Sequence, residues 1–109
     1  MLLIIISKTD NKTIKKIAED LEGYIKVVVD IEKEILSAGG EMHADGEKLL
    51  IQNGSKQDNL WGGGLDLETR EIDFDSMINI RPNQDNTSRE VLAKDIRDKM
   101  EKIIRKLLM

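Results

Sequence analysis

The segment Gly23-Tyr24-Ile25-Lys26-Val27-Val28-Val29-Asp30 decides the fold, because two patterns meet in it. Apolar residues recur at helical spacing from Ile14 to Ile35, which predicts a long helix with Lys and Glu on its other face. Gly23 weakens that helix, and the β-branched run at 27–29 favours a strand instead. Since the spacing continues across the glycine, we predict a helix, continuous or broken near Gly23, with a strand as the alternative.

Three other segments have the character of strands. Leu2–Ile6 is an apolar run without alternation, which predicts a strand covered on both faces and therefore central in a sheet. Leu60–Leu67 predicts a strand weakened by three consecutive glycines. Ile72–Ile80 predicts the clearest strand, because its apolar residues alternate with polar ones. The four residues 68–71 suit a hairpin turn between the last two.

Two further helices complete the predicted fold. Gly39-Gly40 ends the predicted long helix, and a helix of about two turns follows with Asp45 as its N-cap. The last helix carries a continuous apolar stripe and begins at the capping-box sequence Thr87-Ser88-Arg89-Glu90 or later, near Lys94. We therefore predict an α+β fold over residues 1–109 as a small single domain. It has a short mixed or antiparallel sheet of about three strands, packed against two long helices plus one short helix.

The composition excludes several classes of function. The chain of 109 residues has no cysteine, which excludes disulfides, thiolate metal sites and cysteine nucleophiles. Its net charge of −4 does not favour nucleic acid as a partner. Leu2–Ile6 is too short to span a bilayer and lacks the features of a signal peptide, so we expect a cytoplasmic protein without a membrane partner.

The scarce residue types concentrate in residues 39–89. This block holds the only His, Trp, Phe and Pro and seven of the eight glycines. Because unusual residues on connecting segments commonly carry function, we predict a polar, glycine-rich surface here that binds a small molecule or a protein partner. We expect its lining to be His43, Asp45, Ser55, Gln57, Trp61, Asn79, Arg81 and Asn83. The amide-rich run 83–86 suits hydrogen-bonded recognition.

A metal-assisted hydrolase is the alternative function. In an extended chain Glu41, His43 and Asp45 project to one side, and all three residue types ligate divalent metals. Asp73 or Asp75 would complete the set. The simpler interpretation is that Asp45 caps a helix and His43 bonds to a neighbouring group, since zinc sites usually use more His or Cys. The residues identify no cofactor.

Two partner classes remain open. Trp61 with Lys56 and Arg81, or the basic end of the last helix, would bind nucleic acid, although a lone Trp more often fills a core. Ile104 and Leu108 widen the last helix's apolar stripe beyond what a small sheet covers, and a homodimer would bury that surplus.

Several motifs of the middle block also resemble a known family. They are Ala38-Gly39-Gly40-Glu41-Met42-His43-Ala44-Asp45, Asn53-Gly54-Ser55-Lys56-Gln57, Leu60-Trp61-Gly62 and Ile78-Asn79-Ile80-Arg81-Pro82. In these the chain is similar to a family of short prokaryotic proteins defined only as a domain of unknown function. The resemblance covers nearly the whole chain. It implies a free-standing single-domain protein and brings no reaction, ligand or catalytic residue.

Overall fold

The computed structural model describes residues 1–109 and shows an α+β fold, as predicted. The three helices are α1 (Asn11–Ile17), α2 (His43–Gln52) and α3 (Lys94–Leu108). The five strands are β1 (Leu2–Ile5), β2 (Tyr24–Asp30), β3 (Ile35–Gly39), β4 (Leu60–Asp66) and β5 (Ile72–Asp73). Short 3-10 turns occupy 19–21, 57–59, 77–79 and 82–84.

All five strands form one antiparallel sheet in the order β1-β3-β2-β4-β5. Helices α1 and α3 cover one face and α2 covers the other. Alternate residues of β2 serve the two faces: Ile25, Val27 and Val29 join the larger core, and Val28 joins the smaller core with Leu50 of α2. Since β2 is central and covered on both sides, it needs apolar residues on both faces.

This double burial explains why the predicted long helix is wrong. The left-handed residues Glu22 (φ 53°) and Gly23 (φ 100°) end the first helical segment. The β-branched residues then form β2, and the Asp30 carboxylate accepts hydrogen bonds from the N–H groups of Glu32 and Lys33 to close the turn into β3. A strand buried on both faces lacks period-two alternation, so its apolar residues matched helical spacing. The chain has three helices, as many as predicted, but only α3 is longer than ten residues, and it has five strands and not about three.

The predicted strand Ile72–Ile80 is also wrong beyond Asp73. The Ser76 hydroxyl accepts a hydrogen bond from the Ile78 N–H and starts a 3-10 turn that leads the chain away from β4. The Asn79 side chain, predicted to line a polar binding surface, is fully buried instead. The alternation at 72–80 therefore reflects a bent segment that packs on the sheet border.

Four smaller predictions need correction. Helix α2 begins at His43 with Met42 as its N-cap, and Asp45 lies within its first turn. Gly39 and Gly40, both at positive φ, end β3 and not a helix. Residues 87–90 form no capping box, since α3 begins at Lys94, the alternative entry point. The strand near the amino terminus exists, but β1 lies at the border of the sheet and not at its centre.

Candidate functional site

Asn79 occupies the place of a missing strand beside β4. Strand β5 ends at Asp73, which pairs with Gly64, so the outer border of β4 has no strand next to Gly62. The Asn79 side chain accepts a hydrogen bond from the Gly62 N–H (2.8 Å) and donates one to the Gly62 carbonyl (2.9 Å). It also donates to the carbonyl groups of Phe74 and Arg89. The amide therefore binds the protein's own backbone.

Asn86 extends this internal network one layer outward. Its side-chain N–H groups donate to the carbonyl groups of Asn79, Ser88 and Glu90 at 2.8–2.9 Å, and its carbonyl oxygen accepts from the Leu92 N–H. We call residues 74–92 the sealed border of the sheet, because Asn79 binds the backbone groups of Gly62 that an adjoining strand would otherwise pair, and Asn86 binds the backbone of the segment itself. Buried backbone groups need such partners.

Arg81 completes the sealed border and connects it to two other predicted site residues, Gln57 and Trp61. Its guanidinium donates to the carbonyl groups of Leu60 and Gln57 and lies 4.6 Å from the centre of the Trp61 ring. Arg81 is 8% exposed and Trp61 2%, so no ligand reaches either of them as packed. Burial lowers the pKa of Arg81, and nearby Glu47, 3.8 Å away, acts in the opposite direction.

The remaining predicted residues lie elsewhere. Buried Ser55 donates to the Asp30 carboxylate at 2.7 Å, beyond the carboxyl end of α2. His43 is at the other end of that ten-residue helix, about 15 Å away. Asp45 and Asn83 are exposed. Trp61, Asn79 and Arg81 thus form a buried scaffold with the backbone carbonyl of Gln57, and the ring of His43 lies beside it on Gly63 of β4.

Gly62 lets His43 and Ser76 approach the sheet. An added Cβ at Gly62 would lie 2.6 Å from Ser76 Cβ and 3.2 Å from His43 Cδ2. At Gly64 the same addition would meet the ring of Tyr24, whose hydroxyl donates to Asp73 at 2.6 Å. The glycines of β4 are thus needed for close packing over the strand.

The ring of His43 is fixed on this strand by one hydrogen bond. Its Nε2 lies 2.7 Å from the Gly63 carbonyl oxygen, which only accepts, so the neutral ring carries its proton on Nε2. The Nδ1 atom has no partner within the chain and is not buried, which leaves it as an acceptor toward solvent. Burial lowers the pKa of His43, although the bond to Gly63 opposes that shift. At neutral pH the ring is uncharged.

A pocket of about 200 Å³ opens beside His43, and we call it the methionine pocket. Met42 and Met77 flank it with exposures of 60% and 69%. Lys26, which has no carboxylate partner, binds the Glu41 carbonyl at 2.8 Å, and Arg89 pairs with Asp75 at 3.1 Å. The pocket thus combines exposed apolar side chains, a neutral acceptor and a basic rim. Its lining residues are Lys26, Met42, His43, Ala44, Ser76, Met77, Ile78 and Arg89.

The metal site predicted from Glu41, His43 and Asp45 is wrong, because no three His or carboxylate side chains converge anywhere in the chain. Residues 43 and 45 are helical, and side chains two positions apart on a helix point to different sides. Asp73 accepts from Tyr24, and Asp75 pairs with Arg89. The single histidine therefore lacks the neighbours that a metal centre requires.

The buried Trp61 ring also corrects the nucleic-acid prediction through this residue, since stacking on a base needs an exposed ring. Ile104 and Leu108, the basis of the homodimer prediction, are 0% and 2% exposed and fill the core, so they leave no surplus for a second copy. None of the three helices has the length and hydrophobicity of a membrane-spanning segment.

Sequence reasoning missed most of the methionine pocket. Lys26 was placed on a helix and Met77 on a strand, so neither was expected beside His43. No local pattern connects Lys26 with Met77, since the pairing of β2 with β4 and the turn at 77–79 bring them together.

Comparison with known proteins identifies the family. Residues 3–107 match DUF5674, described as a protein of unknown function. No curated protein and no solved structure matches the chain. Because the match spans nearly the whole length, it agrees with the resemblance carried by the middle block. The chain belongs to the DUF5674 family.

Proposed function

We propose that this protein is a binding module whose methionine pocket takes an apolar side chain from an acidic segment of a protein partner. The pair of exposed methionines, Met42 and Met77, carries the proposal. Large apolar side chains that cluster on a surface mark interaction sites, and flexible thioethers adapt their shape to a partner.

The size of the pocket favours a side chain over a whole metabolite. Small-molecule sites usually enclose about 300–1,000 Å³. The methionine pocket encloses about 200 Å³, which suits one apolar side chain. A peptide ligand also gains from contacts outside the pocket, which compensates for the small enclosed volume.

The rim selects for negative charge. Lys26 has no ion-pair partner, although the chain as a whole carries a net charge of −4. A partner with Asp or Glu beside the inserted side chain would offset this isolated cation. His43 Nδ1 adds a hydrogen-bond acceptor for a backbone N–H of the partner, so binding should weaken at acidic pH, where the ring becomes charged and Nδ1 becomes a donor.

Peptide display tests the proposal. Random peptides on phage are selected on the immobilised protein, and the enriched sequences are synthesised and measured by calorimetry. We expect a shared apolar residue flanked by Asp or Glu. Met77→Lys should weaken binding at least tenfold, because an apolar anchor is worth more than about 1.4 kcal/mol. Since this change adds positive charge, its loss of affinity cannot come from weaker attraction to acidic residues.

Leu92→Lys is the matched control. Leu92 is 51% exposed, lies outside the pocket and undergoes the same chemical change, so affinity should stay within about twofold of wild type. Peptides without a common apolar residue, or equal losses in both variants, would contradict the proposed function.

A further inference from the structure

The strand β1 borders the sheet with unpaired backbone groups. It pairs with β3 alone, and the Gly40 N–H donates to the Met1 carbonyl. This bond identifies which residues of β1 direct their backbone groups toward β3. In an antiparallel pair, alternate residues turn their N–H and C=O groups toward the neighbour. Leu3 and Ile5 therefore bond to β3, whereas Leu2 and Ile4 direct theirs away from the sheet. The same alternation, continued by one residue beyond the strand, places the groups of Ile6 outward as well.

Within residues 2–6 this border lacks the charge and the proline that often protect an edge strand. Residues 2–6 contain no charge, proline or glycine, and Ile6 is 72% exposed. Natural sheets cover, shorten, twist or charge their borders, because an open apolar edge pairs with other chains. A groove of about 390 Å³ accompanies β1 and the segment that follows it. The backbone groups and side chains of this border are therefore suited to pairing with another strand.

We infer that a second copy of this chain adds its own β1 here, antiparallel and related by a two-fold axis at Ile4. In this register Ile4 pairs with Ile4 of the second copy, and Leu2 pairs with Ile6 of the second copy. Every outward-facing residue then meets another outward-facing residue, so each of the three pairs exchanges two hydrogen bonds. Shifting the register reduces the number of such pairs.

The side chains match as well as the backbone. In this arrangement Leu2, Ile4 and Ile6 of both copies lie on one face of a continuous sheet. The seam is entirely apolar, whereas a partner strand with polar residues would place them against isoleucine. The interface is self-complementary, as two-fold dimers require. This surface is separate from the methionine pocket and does not depend on the proposed function.

Sedimentation velocity over a range of concentrations tests the dimer. The wild type should sediment as a dimer, and Ile6→Lys as a monomer with an unchanged circular dichroism spectrum, since Ile6 is mostly exposed within one chain. Leu92→Lys, which makes the same change at another exposed position, should remain dimeric. A wild type that is monomeric throughout would overturn the inference and leave the edge for a strand of another protein.

Cysteine cross-linking tests the register, because the chain has no native cysteine. On the two-fold axis the Cα atoms of paired residues lie about 5.5 Å apart, within the range that a disulfide bridges. Ile4→Cys should therefore form a covalent dimer on mild oxidation. In Ile6→Cys the equivalent atoms lie about 14 Å apart, two residues from the axis on each chain, and should not cross-link.

If the cross-links formed by random collisions, Ile6→Cys would cross-link faster than Ile4→Cys, because Ile6 is much more exposed than half-buried Ile4. Faster cross-linking of Ile6→Cys than of Ile4→Cys would overturn the proposed register. A dimer that Ile6→Lys does not dissociate would overturn the proposed surface.

Discussion

The two borders of the sheet differ in whether the chain itself binds their outward backbone groups. At β4 the N–H and carbonyl of Gly62 are bound by Asn79, and Asn86 supports the segment that holds Asn79 in place. At β1 the outward groups have no partner within the chain, and the side chains around them are apolar. The first border is complete in one chain, whereas the second is suited to association. Changes to the side chains that bind the border of β4 should therefore destabilise the monomer, and a change of the exposed Ile6 at the end of β1 should not.

The largest effect is expected from Asn79→Ala. The substitution leaves the Gly62 N–H and carbonyl buried without partners, and each such group costs about 1–3 kcal/mol. We expect the free energy of unfolding to fall by about 3–5 kcal/mol, measured by urea denaturation with Trp61 fluorescence.

The matched control for that prediction is Asn83→Ala, since Asn83 is exposed and makes no hydrogen bond within the chain. Its effect should stay within about 0.5 kcal/mol. Similar losses in the two variants would show that Asn79 does not replace a strand.

Gly62→Ala should cost about 1–3 kcal/mol, the usual penalty for overpacking. The new methyl group would lie 2.6 Å from Ser76 Cβ, which must move together with the turn that it starts. Adding Ser76→Gly removes the atoms in conflict, so the double variant should lose less than the sum of the two single changes. Strictly additive losses in the same urea assay would contradict this contact.

The sealed border also shows what could be predicted from sequence. Strand β4 and helix α3 were predicted because a glycine-broken apolar run and a long amphipathic stripe are local signals. The local sequence does not reveal the role of Asn79, because its partner Gly62 lies 17 residues away along the chain. In the sequence the amide of Asn79 looks like any other polar side chain at the end of a strand. The site prediction collected eight residues, and half of them contribute to this border: Trp61, Asn79, Arg81 and the backbone of Gln57.

Strand β2 illustrates the other limit. Its residues Ile25, Val27, Val28 and Val29 are all buried, so nothing in their pattern separates a central strand from a helix. Similarly, β1 lacks alternation because Leu3 and Ile5 pack on one core and Ile4 packs on the other, which made a border strand look central. Burial on both faces hides the position of a strand in a sheet.

The pH dependence of stability should report on His43, which binds β4 next to the sealed border. Burial lowers its pKa below the value of about 6.5 expected for the unfolded chain. As the pH falls through 6.5, the unfolded chain therefore takes up a proton that the folded chain does not, and the free energy of unfolding decreases. We expect a smaller change than for Gly62→Ala, measured by urea denaturation between pH 7.5 and 5.5.

His43→Gln supplies the comparison for that measurement, because it keeps an N–H donor for the Gly63 carbonyl and does not titrate. The difference in stability between wild type and variant should shrink or change sign toward low pH, while contributions from the carboxylates cancel. A difference that is independent of pH would show that His43 titrates normally in the folded chain.

The smallest effect is expected at the open border. Ile6→Lys should change the free energy of unfolding by no more than about 0.5 kcal/mol when both proteins are dilute enough to be monomeric, because Ile6 is 72% exposed and its backbone groups face solvent. At higher concentration the wild type should gain stability and the variant should not, since a dimer stabilises the folded state by mass action. Urea denaturation at two concentrations measures both. A loss above about 1 kcal/mol in the dilute samples would show that Ile6 already packs within one chain, and the contrast between a sealed and an open border would then be wrong.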